Sequence, residues 1–213
     1  MGLEIVPVIG ILCFILFSGH STPSDNMSAS QVWPQMVNAG RVYKDGAGLN
    51  VEPSQIDEEA EKKILYSFIT KNYSKISTAD AKLISENLVI SGKENQVDPK
   101  FTAALISRES AFNRQAISVT GAKGLGQIKD FNFESLKITD PYDIKQNAAG
   151  TTAYIKQMLT LWKDKSKKVA LSLASYFKGY GAVKRSNESL DDDAKGYVHD
   201  IVTAYESIKS VKF

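Results

Sequence analysis

Asp98-Pro99-Lys100-Phe101-Thr102-Ala103-Ala104-Leu105-Ile106-Ser107-Arg108-Glu109-Ser110-Ala111-Phe112 opens with a helix-start signal. Asp98 offers a side-chain acceptor to the first free backbone N–H groups, and Pro99 fits the first helical position, where an N–H is not needed. Phe101, Leu105, Glu109 and Phe112 recur at helical spacing and share one face of the predicted helix. That face is apolar except for Glu109. An ionised carboxylate there is costly, so Glu109 is expected to hold its proton towards neutral pH. A carboxylic acid that keeps its proton in a cleft can protonate a leaving oxygen, the step that glycosidic-bond cleavage requires. From its place on the helix alone, a structural glutamate paired with a lysine or arginine is the commoner case.

Helical patterns continue on both sides. Upstream, Ile56, Ala60, Ile64, Leu65, Phe68 and Ile69 form one stripe, with Asp and Glu in the first turn. A second helix follows Ser77 or Thr78, with Ala81, Ile84, Leu88 and Val89 as its stripe and Gly92 near its end. Downstream, helices are expected over about 143–163, 169–177 and 194–208. No segment reads as a pair of strands. Any short β-hairpin belongs to the glycine-rich loop after the Glu109 helix. The expected class is therefore mainly α, with no internal repeat.

The N-terminal quarter differs. Ile5 to Phe17 is almost wholly apolar, too short to span a membrane comfortably and about right for a signal-peptide core. Gly19-His20-Ser21 supplies small residues after it, although Met1-Gly2-Leu3-Glu4 carries no lysine or arginine. Residues 1–21 are read as a signal peptide or an N-terminal membrane anchor acting through residues 5–17, against the alternative of a buried helix. Residues 22–54 form a polar linker, 55–76 an accessory helix and 77–208 the catalytic domain. Trp33 and Val37 are the linker residues able to dock on that domain. The expected location is the periplasm or cell envelope.

Composition narrows the chemistry. The 213-residue chain has a formal net charge of +2 with dispersed lysines, too weak a signal for nucleic acid. The single cysteine, Cys13, lies in the apolar run, leaving the rest without thiol or disulfide chemistry. His20 and His199 are far apart and lack cysteine partners, so a zinc site of the usual spacing is absent. The reading includes no metal and no cofactor.

Glu109-Ser110-Ala111-Phe112 leads through Ala116, Ser118 and Gly121-Ala122 to Gly124-Leu125-Gly126-Gln127-Ile128. This order and spacing resembles the lytic transglycosylase (SLT) family of the lysozyme-like superfamily, related to goose-type lysozymes. In that family a Glu-Ser pair ends a helix, and a serine followed by Gly-Leu-x-Gln lines the glycan cleft. Asp140-Pro141, Gly150 and Tyr154, then Ala174-Ser175-Tyr176 with Gly179, then Gly196-Tyr197-Val198 match later motifs in order. The likeness covers about residues 79–205. It departs at Phe177 and Lys178, where asparagine and alanine are usual, at Lys129-Asp130 in place of Met-Pro, and at Gly126 in place of methionine.

The resemblance implies a lysozyme-like helical domain and a peptidoglycan lyase with Glu109 as its catalytic acid and base. Ser110, Ser118, Gly124, Leu125, Gln127, Tyr176 and Tyr197 become the expected substrate-binding residues. Glycines at 121, 124 and 126 would let the backbone approach a sugar closely; as isolated residues they read equally well as turns. The family reaction joins the muramyl 6-hydroxyl to its own anomeric carbon and leaves a 1,6-anhydro end. It therefore needs no second carboxylate, and Asp130, Glu134, Asp140 and Asp143 have no recognisable placement. Two other readings stay open: a hydrolytic muramidase, and a weakly active glycan-binding adaptor of an envelope-spanning machine whose other members are unknown.

Overall fold

The computed structural model describes residues 49–53 and 57–212. The export segment 1–21, nearly all of the linker with Trp33 and Val37, and Ile56 lie outside the described residues. Seven α-helices follow: α1 (Glu58–Asn72), α2 (Thr78–Asn95), α3 (Pro99–Ser110), α4 (Ile144–Leu161), α5 (Lys168–Lys178), α6 (Tyr180–Arg185) and α7 (Asp192–Lys209). Among the described residues there is no strand. The glycine-rich loop forms only isolated antiparallel bridges, Ile117 to Lys123 and Lys123 to Ile128. The mainly α class is as the sequence indicates.

Local chemistry sets the helix starts. Asp57, Ser77, Asp98, Asp143 and Asp191 each accept a backbone N–H through the side chain, at α1, α2, α3, α4 and α7 respectively. The central element is α3, in which every residue from Pro99 to Ser107 is buried. It lies against α2 and α7, while α2 also packs on α1 and α4. Leu65 and Phe68 of α1, Ile84 and Leu88 of α2, Ile155 of α4, Leu173 of α5 and Ile201 of α7 join Phe101 and Leu105 in one core. Full burial of each such side chain contributes roughly 1.5–3 kcal/mol. Phe101 meets Tyr205 edge-on, with ring centroids 5.8 Å apart.

One expectation is corrected. Phe112 is not on the face of α3, because the helix ends at Ser110. Ala111 and Phe112 both take left-handed backbone (φ 50° and 62°), which L residues seldom do in succession. The reversal sends the Phe112 ring against Tyr73 and Phe68, with centroids 4.9 and 6.3 Å away; burial of that ring offsets the backbone strain. Among the first-turn acids of α1, Glu61 is buried. It is 4% exposed and takes the Lys100 ammonium on both oxygens, at 2.5 and 2.6 Å. Lys100 also lies 3.3 Å from Asp98. Asp98 in turn accepts the Tyr205 hydroxyl at 2.8 Å.

Candidate active site

Glu109 is the penultimate residue of α3. The stripe of Phe101 and Leu105 below it is fully buried, while Glu109 itself keeps part of its surface open to solvent. Burial pushes its carboxyl up to about 7, against the opposing pull of the Tyr197 hydroxyl and the Arg108 charge. The partial negative charge of a helix C-terminus acts in the same direction as burial. Surrounding protein thus strips the carboxyl of most hydration while leaving it reachable, the condition a proton donor to a substrate needs.

Its partners come from α5 and α7. Tyr197 of α7 is buried and donates its hydroxyl to Glu109 Oε1. Tyr176 of α5 feels the Glu109 charge, and burial raises its phenol well above the ordinary range. Its hydroxyl donates to the Gly126 carbonyl at 2.6 Å, and its ring rests on Tyr154 of α4 at 5.0 Å. The Arg108 guanidinium lies 5.6 Å over the Tyr197 ring, and its Nε donates to Asp200 Oδ2 at 3.0 Å. Phe177 stacks on Tyr197, with centroids 4.6 Å apart and planes within 10°. Sequence reasoning assigned no role to Arg108 or Asp200. The spacing of Arg108 and Asp200, on different helices, offered no signal.

The glycine-rich loop is bound to itself and to α4. The Ser118 hydroxyl accepts from Ala122 N at 2.9 Å and faces Thr120 Oγ1 at 3.1 Å. Gln127, at φ 51°, donates through Nε2 to the carbonyls of Gly124 at 2.9 Å and Ala116 at 3.1 Å. Leu125 is fully buried in the core. Asn147 of α4 accepts Gly126 N at 2.9 Å and donates to the Pro141 carbonyl at 2.8 Å. A Cβ on Gly126 would fall 1.9 Å from Thr151 Oγ1, and one on Gly124 2.2 Å from the Pro141 carbonyl. At these two glycines the missing side chain makes room for α4 and its preceding loop. Ser110 is buried, and its hydroxyl turns back to the Ile106 carbonyl at 3.4 Å.

Of the residues singled out in the sequence, Glu109, Tyr176 and Tyr197 thus come together directly. Ser118, Gly124, Leu125 and Gln127 build the loop, which Tyr176 links to them through Gly126. Three of the acids near the loop have other partners: Asp130 pairs with Lys123 at 2.8 Å, Asp140 accepts Tyr142 N at 2.9 Å, and Asp143 caps α4. Among the described residues, the charged side chain acting on Glu109 is Arg108, and no carboxylate is among the groups that shift it.

A helical domain with one proton-retaining carboxyl at the end of its central helix, and a glycine loop tied alongside, is lysozyme-like in construction. The transglycosylase SLT domain profile matches residues 87–198, just over half of the chain, and the chain belongs to that family. Membrane-bound lytic murein transglycosylase F of Desulfosudis oleivorans is 34% identical over 43% of this chain and 21% of its own length. The protein of that name from Pectobacterium atrosepticum is 36% identical over 39% of this chain and 18% of its own length. The chain thus spans about a fifth of the curated relatives it matches. The solved structure of an inactive mutant of lytic transglycosylase Slt from Pseudomonas aeruginosa has a TM-score of 0.50, covering 71% of this chain and 30% of that one at 17% identity. This likeness is one of fold.

Proposed function

We propose that the chain cleaves the β-1,4 bond between N-acetylmuramic acid and N-acetylglucosamine in peptidoglycan, without water. Protonated Glu109 gives its proton to the linking oxygen as the bond from that oxygen to the muramyl anomeric carbon breaks. The resulting carboxylate takes the proton of the muramyl 6-hydroxyl, whose oxygen bonds to the same anomeric carbon. N-acetylglucosamine leaves with a free hydroxyl, a 1,6-anhydro ring forms, and Glu109 ends protonated.

Glu109 carries this reading: one carboxyl, held near neutrality by burial and still reachable, with Arg108 as the charged group acting on it. Retaining hydrolysis generally needs a second carboxylate at about 5 Å and inverting hydrolysis one farther off. The intramolecular hydroxyl needs neither, and its tethering to the reacting sugar favours it over bulk water. Tyr197 steadies the carboxylate between the two steps. Ser110, Ser118, Gly124, Leu125, Gln127 and Tyr176 shape the wall along which the glycan lies. The catalytic unit is residues 77–208, with 55–76 as an added helix that shares its core. The apolar run Ile5–Phe17, together with the membrane-bound description of the two relatives, supports export to the periplasm or attachment to the envelope. A reporter fused after Ser30 that stays cytoplasmic would contradict that location.

Digestion of purified peptidoglycan with mass measurement of the released disaccharide-peptides tests the reaction. Anhydro products, about 18 Da lighter than reducing-end products because ring closure replaces addition of water, are expected. Reducing ends would make the protein a muramidase. Binding without turnover would make it an adaptor.

A further inference from the structure

Phe177 and Lys178, the two departures from the family's usual Asn-Ala, occupy one assembly in the structure. The Lys178 ammonium lies 5.6 Å over the Phe177 ring and pairs with Asp191, the N-cap of α7. Phe177 stacks on Tyr197, and Arg108 lies over the Tyr197 ring, held by Asp200. The order is cation, ring, ring, cation, with each cation fixed by an aspartate of the α7 region. Offset aromatic stacking and cation–ring attraction both act here, and each favours a single ring placement. Tyr197 is the residue whose hydroxyl reaches Glu109.

We propose that Phe177, supported by Lys178, is a positioning residue that fixes the Tyr197 ring so that its hydroxyl stays on Glu109. This rests on Glu109 being the acid and base of the proposed reaction. Where the family's usual asparagine would offer a polar side chain to the cleft, this chain offers a flat apolar support to the tyrosine behind the acid. The groups facing Glu109 are Arg108 on α3, Tyr176 on α5 and Tyr197 on α7. Of these, Tyr197 stacks its ring on Phe177, while Tyr176 precedes Phe177 in the chain and holds its own hydroxyl on the Gly126 carbonyl. Loosening Tyr197 withdraws a hydrogen bond from the carboxylate and leaves burial less opposed, so the Glu109 midpoint moves upward.

The test follows that midpoint by carboxyl-carbon NMR on the full chain, without substrate, beside the pH profile of turnover. Phe177→Leu and Phe177→Met keep apolar volume but lose the flat ring. Each is expected to raise the midpoint and the alkaline limb of activity by up to about one pH unit, the scale of a weakened hydrogen bond to a charged group. Phe177→Tyr restores the stack and should restore both values. In a Tyr197→Phe background, Phe177→Leu should add no further shift. An unmoved or lowered midpoint in both folded variants overturns the proposal, as does an equal extra shift in the Tyr197→Phe background. The NMR reading does not depend on what the protein cleaves. Coupling intact in a protein inert towards peptidoglycan would leave the positioning role standing and remove the functional reading alone.

Discussion

In the proposed reaction the protonation of Glu109 ties activity to stability. Its midpoint of about 7 in the folded chain exceeds the ordinary 4.5, so the folded state holds the proton more tightly than the unfolded state. The stabilisation this gives is complete below about pH 4.5 and is lost as pH rises through about 7. Because the side chain retains some solvent contact, the loss should be at most about 3 kcal/mol. Glu109→Gln should therefore abolish turnover, by at least two powers of ten for lost general acid/base action, and at the same time stabilise the fold. Urea midpoints should favour the variant by roughly 1–3 kcal/mol at pH 8 and by nothing at pH 4. A folded variant that keeps most of its activity would remove Glu109 from the mechanism. Since the first step needs the protonated acid, turnover at saturating substrate should fall above an alkaline limb near 7. A flat profile from pH 6 to 9 would contradict that order of steps.

At the scale of elements, the glycine loop and α4 work as one piece. Gly126→Ala places a methyl where Thr151 Oγ1 already lies, 1.9 Å from the new Cβ. Overpacking of this kind typically costs 1–3 kcal/mol, visible as a lowered melting temperature, and should displace the Tyr176 hydroxyl bound to Gly126. Gly121 by contrast has positive φ, at 80°, and open space around it. Gly121→Ala should cost only the backbone penalty of about 1–2 kcal/mol and leave turnover largely intact. Reversal of that ranking would show that the loop is packed otherwise. The same elements mark how far the sequence could be read. Asp98-Pro99, Ser77 and Asp143 announce their helices because a cap is settled within three or four residues. The family motif brought Glu109, Tyr176 and Tyr197 to one site. Phe112 was misplaced because its left-handed backbone is stabilised by Phe68 and Tyr73, far upstream in the chain. Nothing local shows that Asn147 and Thr151 stand behind Gly124 and Gly126. Arg108 and Asp200 went unnoticed for a related reason: two charges with no shared period reveal nothing until their helices meet.

Across the whole molecule, the buried charges at the start of α3 join pieces distant in the chain. Lys100 stands between Glu61 of α1 and Asp98, and Asp98 holds Tyr205 of α7. A buried pair adds little net stability, but removing one member is costly. Lys100→Met leaves two buried carboxylates without their shared cation and should destabilise the domain by about 3–5 kcal/mol in urea. A loss below about 1 kcal/mol would mean that water or another cation reaches the cluster. This end of α3 is also where the chain arrives from upstream. Asp98 N donates to the Val51 carbonyl at 2.7 Å, and the Tyr205 hydroxyl to that of Asn50 at 3.2 Å. Glu109 lies at the other end of α3, roughly 15 Å away at the rise of an α-helix. Asn50 and Val51 therefore meet the domain at the opposite pole of α3 from Glu109, so a change in their hold would reach the carboxyl only through the length of that helix.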